Sequence, residues 1–491
     1  MKKINIIKLS FIAVAGIAML TACSDEDFLD RKPLGQEHDL PVGGYDAKAL
    51  GLYAKLRTEG GLTDWSRYWF QSIRSDDAAK GSTPGDAANF GTIFDAYQYS
   101  AAEGFAASNW GGHYNLIYEC NELILDVEES GDTSDGTLVN KAEGMFFRAF
   151  SYFELRRDYG EVPLVLNRVE SPTDAVMPKS TVAEIDAQII SDLTFAIEHL
   201  PVSWTPNYLG RATKGAAEGF LGKLYLYQQN WPQALVHFQN VMTYGYSLYP
   251  EFSELFLEQA DNSSESIFEV QFARLAGQNY SNNYWESQGV RGSSIWDLGW
   301  GFNVPTQALV DAFEVGDPRK AATILFSGQD DGDGNMVPDA PPLAQPYWNK
   351  KAYTLKTERV RYGENKNHWT NIKIMRYADV LLMAAEAANE SGQSALAITY
   401  LNEVRARARS GNNSVLPDIT STDQTFVRNA IKQERRIELA MEGERFYDLV
   451  RWGDAVSVLG GLGYQDKNKF YPIPLSAIDQ SGGVLIQNPN Y

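Results

Sequence analysis

The sequence predicts a mainly α-helical fold, an α-α superhelix of tetratricopeptide-like helix pairs with long irregular insertions. Three observations predict it. First, Leu221, Gly222, Tyr225, Ala234 and Phe238 keep the spacing L-G-x2-Y and then A-x3-F, which lets two antiparallel helices nest through small residues. Second, Ala384, Ala385, Gly392, Ala397 and Leu401 repeat those offsets, with Ala388 where an aromatic is usual. Third, Phe146, Phe150 and Phe153 fall at i, i+4, i+7 on one helical face, the pattern of a core stripe.

Further helical periodicity extends these units into pairs near 143–199, 212–244, 371–408 and 423–455. Between the two best units, residues 245–370 show little helical periodicity. That stretch is rich in Gly, Asn, Ser and Pro, and it holds Trp285, Trp296, Trp300, Trp348 and Trp369 of the chain's 11 tryptophans. A structureless loop of that length is unusual unless it carries function, so it reads as an insertion mounted on a helical scaffold and carrying the ligand site.

The N-terminus reads as a separate unit. Lys2, Lys3 and Lys8 precede an apolar run from Phe11 to Leu20 that is too short to span a bilayer, and the small residues Thr21 and Ala22 follow. That is the order of a secretory signal. Leu20-Thr21-Ala22-Cys23 resembles the lipobox of bacterial lipoproteins, which predicts a signal peptide at 1–22 and a lipidated Cys23. Two or three acyl chains on one residue hold almost permanently, so the mature chain would be tethered to a bilayer rather than inserted in it. Residues 23–40, polar with Pro33 and Gly35, read as the tether, and Asp25, Glu26 and Asp27 look like a surface-export signal. The other cysteine, Cys120, then has no partner and reads as a small buried hydrophobe.

The formal net charge is −20, which argues against nucleic acid or an anionic lipid surface as partner. With 11 Trp, 26 Tyr and 23 Phe in so acidic a chain, the composition points to a neutral, hydroxylated ligand. The five histidines show no metal-ligand spacing, and neither a G-x-S-x-G motif nor a Cys/His arrangement occurs. In Glu434, Arg435, Arg436, Glu438, Glu442, Glu444 and Arg445, acids recur on one helix face with arginines between, a structural ion-pair network rather than catalytic carboxylates. Asp331, Asp333 and Asn335 suit the first positions of a calcium loop, but Met336 stands where a glycine is needed and Pro342 where a glutamate is expected. An acidic turn is the preferred reading, with structural calcium as the alternative and no other cofactor expected.

Segments along the mature chain resemble the SusD/RagB family. They include Glu143 to Leu155 running on to Tyr159-Gly160-Glu161-Val162-Pro163, then Gly210-Arg211-Ala212-Thr213, Ser266 to Gln271 and Gly299-Trp300-Gly301. Asn371 to Leu382, Glu434-Arg435-Arg436, Arg451-Trp452 and Tyr471-Pro472-Ile473-Pro474 follow in family order. The resemblance implies one SusD-like domain over 41–491, and a surface-exposed, lipid-anchored protein of the outer membrane. It further implies binding of oligosaccharide or polysaccharide, delivery to a SusC-like TonB-dependent transporter, and no catalysis. A peptide-binding importer of the same family is the alternative, and a lipoprotein glycosidase a more distant one.

The ligand contacts have to be read from chemistry. A sugar ring wants an aromatic platform for its C–H face and Asn, Asp, Arg or Gln for its hydroxyls. Tyr280, Asn283, Tyr284, Trp285, Arg291 and Trp296 supply both in one stretch, and Trp65, Trp69, Asp76 and Asp77 in another. Polar neighbours predict that Tyr284, Trp285 and Trp296 are exposed, whereas Trp65, Trp69 and Trp300 are expected to pack against the body.

Overall fold

The computed structural model describes residues 43–275 and 278–491; the signal, Cys23 and its acidic neighbours lie outside the described residues. The helices of eight residues or more are α1 (Asp46–Thr58), α2 (Gly104–Ser130), α3 (Asp135–Tyr159), α4 (Val182–His199), α5 (Lys214–Tyr227), α6 (Trp231–Met242), α7 (Tyr377–Glu390), α8 (Ser394–Ala408), α9 (Gln424–Glu438) and α10 (Arg445–Trp452). From α2 to α8 each helix packs on the next, and α9 returns to α7, which is the helix-pair superhelix the spacing predicts. No described helix is long and apolar enough to cross a membrane.

Local sequence accounts for the helix starts. Thr181 and Glu184 form a reciprocal capping box before α4, and the Thr213 and Asp423 side chains accept backbone N–H groups at the starts of α5 and α9. The predicted nesting is visible between α5 and α6, where a Cβ on Gly222 would lie 2.6 Å from the Phe238 ring. Phe146, Phe150 and Phe153 meet the same Phe220 edge-on, at 5.7, 5.7 and 6.2 Å between ring centroids. The longest helix, α2, has no counterpart in the sequence reading, because Gly104, Asn109, Gly111, Gly112 and Asn115 dilute its periodicity. Cys120 lies within it, fully buried, and desolvation raises its thiol pKa far above the ordinary value.

The insertion stands on a two-stranded foot. Ser266–Val270 leaves the helical body and Ile372–Arg376 returns to it, paired antiparallel. A second antiparallel pair, Ala78–Gly81 with Phe302–Pro305, ties the insertion to the segment that follows α1. Within the insertion, Val290, Trp296, Leu298, Val304, Leu325, Val337, Leu343, Trp348 and Tyr353 form a separate apolar cluster. The insertion therefore carries a small core of its own.

The foot is locked by buried charge. Arg376 donates to Glu265 (2.8 Å), Glu438 (2.6 Å) and Glu442 (2.8 Å). Glu438 also accepts Arg407 and Arg319, and Glu434 accepts Arg319 (2.5 Å) and Arg405 (2.9 Å). Burial alone would raise the pKa of Glu438, but the guanidiniums of Arg407, Arg376 and Arg319 reverse this and hold it far below the carboxylate range. The run at 434–445 is thus an ion-pair lattice, but not one along a single helix face: α9 ends at Glu438, and the partners of Glu434, Arg435, Arg436, Glu438, Glu442 and Arg445 all come from outside the run.

Removing one member of a buried ion group leaves uncompensated charge and costs about 3–5 kcal/mol. Glu438→Ala is therefore expected to lower unfolding free energy by about that amount in urea denaturation. Because the folded-state pKa of Glu438 is depressed, its contribution is complete above the unfolded carboxyl pKa of about 4.3 and is lost as pH falls below it. Melting temperatures from pH 7 down to 3 should fall less steeply for Glu438→Gln than for the unaltered chain.

Candidate functional site

Trp300 is the most exposed of the tryptophans, 43% exposed. Its backbone explains why. Trp300 donates its N–H to the Glu286 carbonyl (3.0 Å) and Gly301 donates to that of Gly289 (2.8 Å). A Cβ on Gly299 would lie 2.0 Å from the Glu286 carbonyl oxygen, and one on Gly301 would meet Arg291 at 2.6 Å and the Trp348 ring at 2.7 Å. Gly301 also has φ +70, a region that glycine adopts without strain. Two glycines therefore let the chain press against 286–291 while the indole between them points outward.

Charged side chains flank that ring. The Arg291 guanidinium lies 4.8 Å from its centroid and the Lys366 ammonium 5.9 Å, within cation–π range. Each cation is steered by a carboxylate: Arg291 by Asp86 (3.2 Å) and Lys366 by Glu286 (2.5 Å). Hydrogen bonds from the Ser82 and Thr83 hydroxyls, and then Arg291, lower the pKa of Asp86. The polar chain continues from Glu286 to His368 (3.4 Å), and from the other His368 ring nitrogen to Ser281 (3.2 Å). Beside Ser281 stands Tyr280, 38% exposed, with the Arg57 guanidinium 5.5 Å from its ring centroid. Arg57 has its pKa lowered by partial burial. Asn282 donates to the carbonyls of Arg57 (3.0 Å) and Thr63 (3.3 Å), fixing this loop against the end of α1, and Asn283 is exposed next to it.

The resulting surface carries two accessible rings, Trp300 and Tyr280, with the linked side chains of Ser281, His368, Glu286 and Lys366 between them, the Arg291–Asp86 pair beside Trp300 and exposed Asn283 near Tyr280. It can stack a flat apolar face and exchange hydrogen bonds with hydroxyls around it.

The structure corrects the expected exposure of three residues and the reverse expectation for Trp300. Trp285 is buried and donates its indole N–H to the Thr370 carbonyl (2.7 Å). Tyr284 packs edge-on against it at 4.8 Å, and both belong to the main core. Trp296 lies in the insertion's own core, stacked near Tyr353. Their polar neighbours occupy turns on either side, so local composition misreports the direction of the rings. Asp76 and Asp77 are engaged in ion pairs: Asp76 accepts Arg445 at 2.9 and 3.0 Å, and buried Asp77 accepts Arg436 at 2.6 Å. Trp69 is buried among Phe90, Phe94 and Phe302, and Trp65 is half-buried at its edge. Of the sequence candidates, Tyr280, Asn283 and Arg291 lie on the exposed face. Lys366, His368 and Glu286 were missed, because only the fold brings them beside Trp300.

The acidic turn is built on Asp331. One of its carboxylate oxygens accepts the N–H groups of Asp333 (2.8 Å) and Asn335 (3.0 Å), and the other accepts the Tyr353 hydroxyl (2.6 Å) and the Asn335 amide (3.0 Å). Among the described residues no group of three or more His, Cys, Asp and Glu is placed to hold a metal ion.

Two family models match the chain: one described as the SusD family over residues 264–469, and one described as "Starch-binding associating with outer membrane" over residues 65–226. SusD-like protein P2 of Formosa agariphila is 27% identical across 99% of both chains. The starch-binding protein SusD of Bacteroides thetaiotaomicron is 24% identical over 77% of this chain and 76% of its own. A solved laminarin-binding SusD-like protein superposes with a TM-score of 0.76 at 29% identity, covering 91% of this chain and 98% of that one.

Large aromatic-to-alanine changes in a core cost about 3–5 kcal/mol. Trp285→Ala and Trp296→Ala should each lower the melting temperature by several degrees in differential scanning calorimetry. Trp300→Ala should change it by no more than about 1–2 °C, since exposed substitutions stay within about 0.5 kcal/mol.

Proposed function

This chain belongs to the SusD/RagB family, and we propose that it captures oligosaccharide at the Trp300–Tyr280 face and hands it to a SusC-like TonB-dependent transporter of the outer membrane. The observation that carries the reading is the exposed Trp300, framed by glycines and a hydrogen-bonded polar rim. A pyranose has the matching construction, an apolar C–H face bordered by hydroxyls. The starch-binding and laminarin-binding relatives support a glycan as the ligand class.

No bond is made or broken in this proposal. If each stacked ring or hydroxyl contact contributes about 1 kcal/mol net, a handful of contacts gives roughly millimolar to micromolar affinity. Weak binding suits a protein that must release its ligand to a transporter. The lipobox-like segment ending at Cys23 supplies the acyl anchor in this reading, and the acids after it the surface address.

The first test is affinity electrophoresis in gels containing laminarin, starch or other neutral glycans. Trp300→Ala should abolish retardation by whichever glycan retards the unaltered chain, and Tyr280→Ala should weaken it. Retardation that survives both changes would remove the face from the mechanism, and binding of peptides but no glycan in calorimetry would favour the peptide importer. Reducing-end assays should detect no sugar release from a bound polysaccharide. Protease added to intact cells should remove the protein, and a Cys23→Ala chain should no longer fractionate with the outer membrane.

A further inference from the structure

Four of the 11 tryptophans keep solvent exposure: Trp65, Trp300, Trp231 and Trp452. The last two lie on the helical body, away from the insertion, and line one cleft of about 350 Å³, within the range of small-molecule sites. Trp231 is the first residue of α6 and Trp452 the last of α10. The C-terminal end of α7 and the middle of α9 complete the walls, so the cleft is built on rigid elements.

Its polar groups are held in place. Glu386 accepts the Trp452 indole N–H (2.9 Å) and both arms of Arg451 (2.5 and 2.7 Å). On the rim Glu390 accepts Arg428 at 2.6 and 2.7 Å, and Lys432 reaches Asp454 at 2.7 Å. Arg451 and Lys432 also stand 4.8 and 4.9 Å from the Trp452 ring centroid, which fixes the ring. Such a network alone would be structural, and beside the buried pair of Arg376 and Glu442 the space is only about 10 Å³. At Trp231 and Trp452 the same kind of network is left open to solvent between two rings.

Every cation of the cleft already has a carboxylate partner, so the cleft has no charge for a phosphate or carboxylate ligand to neutralise. Paired carboxylates and guanidiniums retain free lone pairs and N–H groups that hydroxyls can use. The exposed parts of the half-buried Trp231 and Trp452 rings supply apolar surface for C–H groups. We propose that this cleft binds a neutral saccharide unit, independently of the Trp300 face. The choice of saccharide rests on the glycan-binding reading above, and the cleft gives the protein a second foothold on a long chain. Two weak sites on one polymer raise avidity without new contacts at either.

The test is ¹⁹F NMR of the purified chain carrying 5-fluorotryptophan, with signals assigned by single Trp→Phe substitutions. Laminarihexaose, maltohexaose, cellohexaose and mannohexaose are titrated separately to about 10 mM, a range that covers millimolar binding. The Trp231 and Trp452 signals should shift saturably with at least one of them, and should do so equally in Trp300→Ala. Trp452→Ala should weaken the Trp231 response at least about tenfold. Shifts confined to Trp300 would overturn the second site while sparing the first, and shifts confined to the cleft would do the reverse. If no signal moves, both fail. Shifts produced only by an oligouronate, or abolished by about 0.5 M NaCl, would overturn the assignment to a neutral ligand.

Discussion

The rest of the structure depends on the neutralisation of Glu438. Its carboxylate, fully buried at the end of α9, is approached by Arg319 from the insertion, Arg376 from the foot strand and Arg407 from α8. Glu265, just before the other foot strand, shares Arg376 and Arg407 with it. Ions taken out of water are costly, and their mutual attraction repays this only when geometry is good and all partners are present. The segments contributing these side chains are far apart in sequence, so the lattice forms only when the helical body and both roots of the insertion are correctly placed. It acts as a condition on assembly more than as a source of net stability.

A second lattice extends this condition across the helices. Lys223 of α5 pairs with Asp379 of α7 and with Glu444, Arg435 of α9 pairs with Asp379 and Asp448, and Arg451 of α10 pairs with Asp448 and Glu386. Helices with small, alanine-rich contact faces slide easily, and directional Arg–carboxylate pairs give them register. The chain's acidic surplus therefore coexists with a body in which buried cations are matched. The open end of this lattice, at Glu386 and Arg451, is where the cleft between Trp231 and Trp452 lies.

With its roots fixed, the insertion can carry an exposed ring at modest cost. Trp296 and Trp348 fill its local core, and the pairing of Phe302–Pro305 with Ala78–Gly81 holds it against the body. Between these anchors the Gly299-Trp300-Gly301 segment lies close to 286–291 and has its indole outside. A platform held this way loses little entropy on binding, which matters when each contact contributes only about 1 kcal/mol.

The sequence by itself determined the helical scaffold and the character of its charge. Periodicities such as Leu221-Gly222 with Phe238 are local patterns whose physical consequence is local, whereas the charges along 434–445 announce an ion-pair network whose partners, Arg319, Arg376, Arg407 and Asp76 among them, only the fold supplies. It did not reveal α2, where glycine and asparagine hide the repeat, nor the direction of the aromatic rings. Tyr284, Trp285 and Trp296 have polar neighbours in sequence and apolar neighbours in space, while Trp300 sits between glycines that leave it uncovered. The one local signal for it is that pair of glycines, which in sequence stands only as one of the segments resembling the family. Which tryptophan faces water depends on what the folded chain brings alongside it, here Arg291 and Lys366 from separate parts of the insertion, and only the tertiary structure decides that.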